Sequence, residues 1–390
     1  MRRVRSTALA SLLVLAAVSL ALTAGLTGVA ATQHGATAKQ SAIGRPSPSA
    51  CTFPVTRTDA SGAAVTVDAD PSRVVALAPS AAQTMWDVGA RDEVVGMPVS
   101  QYTSYLDGYR RPTNVVSADG FSVDVETVVN LRPDLVLAPN VTPVATVRKL
   151  REAGLTVYHF RKARTLDDVY AKTLLTGRLT GNCEGASERV AWMKRRIGAV
   201  REAVKDEPRP SVVYPLGGGI VVGSNTFLDE LIRAGGGRNL AAEAGVSGYG
   251  ELNPEVVVER DPQWLVLNDA LPRSALQMAA YNRTTAIREN QTIRVNPNYA
   301  NQPGPRVVYP IETIARALHP EAMATVDETR TPAGSVTPSV STATTPTVTT
   351  SSASPSTAPG TSAPGQPGFG LLASLLAMVV ALLAATRRHR

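Results

Sequence analysis

Tyrosine, amide and small side chains follow several apolar segments of the sequence, and these residue types favour ligand binding over catalysis. A tyrosine presents a large apolar face with a polar tip, which suits a bulky organic ligand. A loop tyrosine can equally be packing, and glycines 217–219 can either approach a ligand or form a tight turn. The predicted ligand-binding residues are Pro79, Ser80, Tyr102, Tyr105, Phe121, Asn140, Gly218, Gly219, Tyr249, Asp269, Tyr299 and Asn301.

Other kinds of chemistry find little support in the sequence. No Gly-x-Gly-x-x-Gly follows the first predicted strand, no nucleophile elbow is present, and no histidine is placed as a base. Glycines 217–219 precede no Gly-Lys-Ser/Thr, so they are not a phosphate loop. His159 and His319 lie far apart in the sequence, without a cluster of Tyr and carboxylates. We therefore predict neither an enzyme, nor a protein-held metal, nor a resident cofactor.

A repeated pattern indicates the elements that position these residues. Segments 124–140 and 253–269 each contain a helix cap, a glutamate two residues later, a short helix, a proline and an apolar strand. Between them, residues 184–207 carry apolar side chains at steps of three and four, which lie on one face of a helix. The predicted fold class is α/β, with two Rossmann-like lobes of mainly parallel sheets joined by one long rigid α-helix. Ligands of such sheets bind at the carboxyl ends of the strands.

The composition divides the chain into segments. A basic start before an apolar stretch is typical of a secretory signal, for which an uncleaved anchor is the alternative. The apolar segment 369–386 is long enough to cross a bilayer and is followed by arginines. We predict a signal peptide at 1–31, a flexible linker at 32–50, an N-terminal lobe at 51–183, the interlobe helix at 184–207, a C-terminal lobe at 208–327, a Ser/Thr/Pro-rich stalk at 328–367 and a membrane anchor or sorting signal at 368–390.

The net charge of +7 is concentrated at the two ends of the chain. Six of those positive charges belong to Arg2, Arg3, Arg5, Arg387, Arg388 and Arg390. The rest of the chain is nearly neutral, so no nucleic-acid partner is indicated.

Two cysteines in an exported chain favour a disulfide between Cys51 and Cys183. A lipid-modified Cys51 is the alternative, but the residues before it are not apolar. Glycosylation sequons begin at Asn140, Asn282 and Asn290. A glycan at Asn140 would obstruct the predicted cleft, so its presence would contradict this placement of the pocket.

From about residue 72 to residue 320, the chain resembles the solute-binding proteins of iron-chelate and cobalamin ABC importers. The resemblance rests on Arg73-Val-Val-Ala-Leu-Ala-Pro-Ser80, Gly89-Ala-Arg-Asp-Glu-Val-Val-Gly96, Leu131-Arg-Pro-Asp-Leu-Val-Leu137, Leu150-Arg-Glu-Ala-Gly-Leu-Thr-Val157, Gly235-Gly-Gly-Arg-Asn239 and Gly304-Pro-Arg306, in this order. It implies two lobes bridged by a rigid helix, with small hinge motion on binding.

The resemblance also implies partners. Proteins of this family dock on the transmembrane subunits of their permease through one carboxylate on each lobe, and Glu126 and Glu255 occupy those positions here. A carboxylate in the first helical turn can equally serve the helix dipole. The implied ligand is a metal chelate. The two leading candidates are a corrinoid such as cobalamin and a ferric siderophore, and haem ranks after them. The protein is expected to be a monomer, and a surface glycoprotein without a transport role is the alternative.

The C-terminal tail carries a second resemblance. Pro367-Gly368-Phe369, the apolar segment and the final arginines resemble the archaeal sorting signal at which an archaeosortase replaces the helix with a lipid. A permanent transmembrane helix is the alternative. Either way, the sequence predicts an exported protein held on the outer side of the cytoplasmic membrane by its C-terminus.

Overall fold

Short apolar segments of the first half of the chain form a parallel sheet covered by helices. The computed structural model describes residues 51–117, 120, 122–269 and 279–330, with side chains up to residue 326. In chain order, the N-terminal lobe contains β1 (Val55–Thr58), β2 (Ala64–Val67), β3 (Val74–Ala76), α1 (Pro79–Asp87), β4 (Val94–Met97), β5 (Thr113–Asn114), α2 (Val125–Asn130), β6 (Leu135–Ala138), α3 (Val144–Glu152), β7 (Val157–His159) and α4 (Leu166–Leu179).

The main sheet of this lobe has the strand order β5-β4-β3-β6-β7, and all its neighbours are parallel. All residues of β3 and β6 are buried, as expected for strands with helices on both faces of the sheet. β1 and β2 form a separate antiparallel pair. The strand carboxyl ends therefore share one edge, which presents Ser80 and Asn140.

The second half of the chain forms a similar lobe. After α5 (Cys183–Ala203), its elements are β8 (Ser211–Val213), β9 (Pro215–Gly217), β10 (Ile220–Val222), α6 (Phe227–Ala234), β11 (Arg238–Asn239), α7 (Leu240–Glu243), β12 (Tyr249–Glu251), α8 (Pro254–Arg260), β13 (Trp264–Asn268), α9 (Thr285–Arg288), β14 (Thr292–Val295), α10 (Pro297–Ala300), α11 (Val308–Leu318) and α12 (Pro320–Arg330).

The two parallel sheets have equivalent topologies. The order β11-β8-β13-β14 in the second lobe matches β4-β3-β6-β7 in the first, so the repeat found in the sequence is a structural one. β9, β10 and β12 form an additional antiparallel sheet in the second lobe. The predicted fold of two α/β lobes with mainly parallel sheets is confirmed.

The interlobe helix α5 connects the two hydrophobic cores. Ala186, near its start, packs in the core of the first lobe, whereas Val190 and Ile197 pack in the core of the second. Leu166 and Tyr170 of α4 also belong to that second core, so α4 packs against the second lobe beside the connecting helix α5. α5 spans Cys183–Ala203, whereas the prediction was 184–207, and Pro208 accounts only for the exclusion of the residue directly before it.

Two further links fix α5 to the lobes. The predicted disulfide between Cys51 and Cys183 is present, with the two Cα atoms 5.6 Å apart. The carboxylate of Asp87, at the end of α1, accepts a hydrogen bond from Arg189 of α5 at 3.0 Å and lies 3.2 Å from Nε of Arg306 in the second lobe. Burial raises the pKa of the Asp87 carboxyl, and the two guanidinium groups oppose that rise.

The described residues all belong to one compact unit. Within the ranges given above, no helix is long and apolar enough to cross a membrane. The predicted signal peptide, stalk and C-terminal anchor lie outside the described residues.

Candidate functional site

Side chains from both lobes meet in a hydrogen-bonded contact at the carboxyl ends of the strands, which we call the interlobe seam (Gln83, Tyr102, Tyr105, Tyr299 and Gln302). Gln83 is fully buried in α1, and its Nε2 donates to the Tyr105 hydroxyl at 2.7 Å. The Tyr105 hydroxyl donates to Oε1 of Gln302 at 3.0 Å. Gln302 in turn donates to the backbone oxygen of Tyr102 at 3.0 Å. The two lobes thus meet through polar groups that are satisfied without a ligand.

Aromatic rings extend the interlobe seam along its side. The rings of Tyr105 and Tyr299 meet edge to face, with centroids 5.4 Å apart. The ring centroids of Tyr299 and Tyr309 of α11 are 5.3 Å apart, and those of Tyr309 and Trp192 of α5 are 5.9 Å apart. Burial raises the pKa of Tyr105 to about 12. This hydroxyl therefore stays protonated and acts as a neutral donor and acceptor.

Several of the predicted ligand residues lie at or beside this seam. Tyr102, Tyr105 and Tyr299 are part of it, and Ser80 lies next to it in the first turn of α1, after Pro79. Asn301 is exposed at the end of α10, one residue before Gln302. The structure thus brings together residues that are about two hundred positions apart in the chain.

A second group of predicted residues is built on the antiparallel sheet of the second lobe. Gly218 and Gly219 form the turn between β9 and β10, with φ of 59° and 80°. Positive φ at both residues is typical of a tight two-residue hairpin turn, so these glycines do form a turn, and their contact with a ligand stays a prediction. Tyr249 begins β12 and Tyr299 lies in α10, so neither occupies the loop in which the sequence had placed it.

Tyr214, which the sequence analysis did not select, lies close to Tyr249 and Asp269, two of the predicted ligand residues. Burial raises the pKa of Tyr214, and the neighbouring Tyr249 and Asp269 add to the rise. Its hydroxyl is buried and has no hydrogen-bond partner among the described residues. A buried donor without a partner is unusual in a folded protein, so this hydroxyl is available to a ligand or a water molecule.

Two predicted residues on the first lobe remain. Asn140 is exposed after β6, beside Val141 and Val144, which are 60% and 58% exposed. Phe121 lies outside the described residues. The ligand role of all twelve predicted residues stays a prediction.

The two glutamates of the repeat occupy equivalent positions. Glu126 lies in the first turn of α2, whose cap Asp124 accepts a hydrogen bond from the Thr127 amide at 3.0 Å. Glu255 lies in the first turn of α8, capped by Asn253, which accepts from the Glu255 amide at 2.8 Å. Both glutamates are exposed. The caps use other side chains, so both carboxylates are left to solvent or to a partner.

Lys172 of α4 is a further polar residue at the lobe contact, and its position in the sequence gives no sign of this role. Its ammonium donates to the Pro303 oxygen of the second lobe at 3.0 Å and lies 3.5 Å from the Ser80 hydroxyl. Burial lowers the pKa of this ammonium to about 8. One feature is common to Lys172, Gln83 and Gln302: each places a polar side chain at a contact between distant segments of the chain. Sequence periodicity does not reveal such a contact.

Metal ligation finds no structural basis in the part of the chain that the structure describes. No three His, Cys, Asp or Glu side chains are grouped there to hold an ion. The buried imidazole of His319 lies 3.3 Å from the Gly236 oxygen, and that of His159 has no described partner.

Comparisons with known proteins agree with this architecture. A family model described as periplasmic binding protein matches residues 74–299. The cobalamin-binding protein of Halobacterium salinarum is 46% identical over 280 residues, which cover 69% of this chain and 75% of that protein. The uncharacterized ABC transporter substrate-binding lipoprotein YvrC of Bacillus subtilis is 28% identical over 280 residues, or 69% of this chain and 87% of that one.

Solved structures share the fold. The apo periplasmic heme-binding protein RhuT from Roseiflexus sp. RS-1 aligns with a TM-score of 0.58 at 24% identity, over 64% of this chain and 99% of that one. The periplasmic vitamin B12 binding protein BtuF of Vibrio cholerae aligns with a TM-score of 0.55 at 22% identity, over 64% and 97%. The two equivalent lobes meet at their strand carboxyl ends, and the matched segments span both lobes. The chain belongs to the periplasmic binding protein family.

Proposed function

We propose that this protein is the extracytoplasmic substrate-binding component of an ABC importer and that it captures a corrinoid, such as cobalamin, between its lobes. The observation that carries the proposal is the 46% identity to the cobalamin-binding protein of Halobacterium salinarum, over 280 residues that include both lobes. The Bacillus subtilis relative, named as an ABC transporter substrate-binding lipoprotein, supports the importer class. Both relatives are named as binding proteins, which supports a role without catalysis.

The geometry suits capture of a large, partly apolar ligand. The interlobe seam and the group around Tyr249 place aromatic rings and neutral hydrogen-bonding groups on both lobes, as ligand sites of this kind require. Because α5, α4 and the Asp87 ion pairs connect the lobes, we expect small lobe movements on binding. The ligand would then meet a surface that is largely formed beforehand, which reduces the ordering cost of binding.

Delivery to the permease would use Glu126 and Glu255. They are exposed, lie on equivalent helices of the two lobes and leave the capping of those helices to Asp124 and Asn253. Two carboxylates on the two lobes fit a partner that presents two basic groups. The partner proposed here is the pair of transmembrane subunits of the permease.

We also infer export and tethering from the sequence. The basic and apolar start, the Ser/Thr/Pro-rich stalk and the tail with Pro367-Gly368-Phe369 support a protein anchored at the surface of an archaeal cell. Mass spectrometry of the mature protein tests this inference. A C-terminus truncated near residue 367 with a lipid mass would support lipid exchange, whereas an intact tail would support a retained helix.

The binding proposal is tested with the purified full-length protein by thermal unfolding in the presence of cyanocobalamin, a ferric siderophore or haem. A ligand at a concentration of a hundred times its Kd stabilises the folded state by about 2.7 kcal/mol, so cyanocobalamin should raise the melting temperature measurably. A rise with the siderophore or haem alone would contradict the corrinoid and retain the importer class. No rise with any of the three would support a surface glycoprotein without a transport role.

A further inference from the structure

One positive charge at the lobe contact has only neutral partners. The ammonium of Lys172 contacts the Pro303 oxygen at 3.0 Å and the Ser80 hydroxyl at 3.5 Å, and it lies 6.0 Å from the centre of the buried Phe160 ring. An ammonium has three N–H donors, and these two oxygens account for two of them. The third donor remains for a group that the described residues do not supply.

The missing counter-charge sets Lys172 apart from the other partly buried cations of this region. Arg189 and Arg306 are paired with Asp87, and Arg196 is paired with Glu312. Across the described ranges, no carboxylate forms an ion pair with Lys172, and burial without a neighbouring charge lowers its pKa. Lys172 is only partly exposed, and a charge removed from water without an ionic partner is unfavourable in a folded protein, so this site is expected to receive its counter-charge from outside.

The loop before α4 adds positive charge at the same sheet edge. Arg161 and Lys162 follow directly on β7 and Phe160, and both are exposed. In the described part of the chain, neither forms an ion pair. The carboxylate next to this loop, Asp168, is occupied by the backbone amides of Arg164 and Thr165 at the start of α4.

We infer that the ligand presents an anionic oxygen to Lys172, and that this lysine selects corrinoids that carry the phosphodiester of a nucleotide loop over those that lack it. The inference rests on the proposed corrinoid function. Lys172 of α4 contacts Ser80 of α1 and Pro303 of the second lobe, so an anion bound to its ammonium would lie where the two lobes meet. A charge-assisted hydrogen bond of this kind contributes more than one between neutral groups.

The experiment compares two corrinoids on the purified full-length protein. Cyanocobalamin carries the phosphodiester, and dicyanocobinamide lacks the whole nucleotide loop. Calorimetry gives the Kd of each for the wild type and for Lys172→Met, Lys172→Arg and Lys149→Met, the last being an exposed lysine of α3 that serves as the control for net charge. The melting temperature of each ligand-free variant shows that it is folded.

We expect Lys172→Met to weaken cyanocobalamin binding roughly 10- to 100-fold and to leave the Kd of dicyanocobinamide close to that of the wild type. Lys172→Arg should restore part of the preference, and Lys149→Met should change neither Kd. An equal loss for both corrinoids in Lys172→Met would show that the lysine only joins the lobes, which overturns this inference and leaves the proposed function intact. A wild-type protein that binds neither corrinoid would overturn both.

Discussion

The ion pairs of Asp87 lead to the most direct prediction about how the lobes are held together. In Asp87→Ala, Arg189 and Arg306 would lose a carboxylate that is only 3% exposed. Removing one partner of a buried ion pair costs roughly 3–5 kcal/mol, because the remaining charge stays buried without compensation. The two guanidinium groups are 25% and 21% exposed, so water offsets part of this cost. We therefore expect a loss of about 3 kcal/mol, the lower end of that range.

Urea unfolding of the oxidised protein measures this loss, and thermal unfolding should show a decrease of roughly 6–12 °C in the melting temperature. The matched control is Asp92→Ala, because Asp92 is 80% exposed in its ion pair with Arg91 and its removal should cost less than about 0.5 kcal/mol. A double variant, Asp87→Ala with Arg306→Met, should recover part of the stability because fewer charges remain unpaired. If Asp87→Ala unfolds like the control, the ion pairs do not hold the lobes as described.

Three further predictions concern docking, pH and the disulfide. Charge reversal of both Glu126 and Glu255 to lysine should abolish uptake through the permease without changing the Kd for the ligand. Glu188→Lys, at an exposed position of α5, should leave uptake unchanged. A loss of affinity in the double variant would show that the two glutamates are not docking groups. Burial lowers the pKa of Lys172 from 10.5 to about 8, so between these values the unfolded chain keeps a proton that the folded one has released. The free energy of unfolding of the ligand-free protein should therefore rise with pH over that window relative to Lys172→Met, and identical pH profiles would contradict the burial of this ammonium. Reduction of the disulfide should destabilise the protein by roughly 2–5 kcal/mol because it releases a long covalent loop, and unfolding with and without dithiothreitol measures the change.

Much of the fold could be predicted because each lobe repeats the same local signals. Asp124 and Asn253 cap equivalent helices, and buried apolar strands follow both, so the order of elements was visible in the sequence. The shape of α5 was visible too, through the spacing of Val190 and Ile197. The share of α4 in joining the lobes was not, because Tyr170 packs against segments of the second lobe that lie far along the chain.

The candidate site could be predicted only in part for the same reason. Tyr105 and Tyr299 stand out by type and by their position after strands, but the polar side chains that connect them do not. Gln83 and Gln302 are separated by 219 positions, and nothing in the local pattern around either distinguishes it from a surface glutamine. Their role follows from burial in a contact between lobes, which only the three-dimensional arrangement defines.

The disulfide affects how the protein responds to proteolysis. The disulfide between Cys51 and Cys183 closes a covalent loop that contains every strand and helix of the first lobe up to α4. The chain leaves this loop through α5. A protease that cuts the chain inside this covalent loop opens it without separating the pieces, because the sulfur bridge still joins them. One cut would therefore leave the lobe attached to the rest of the protein, and two would be needed to release a fragment from it.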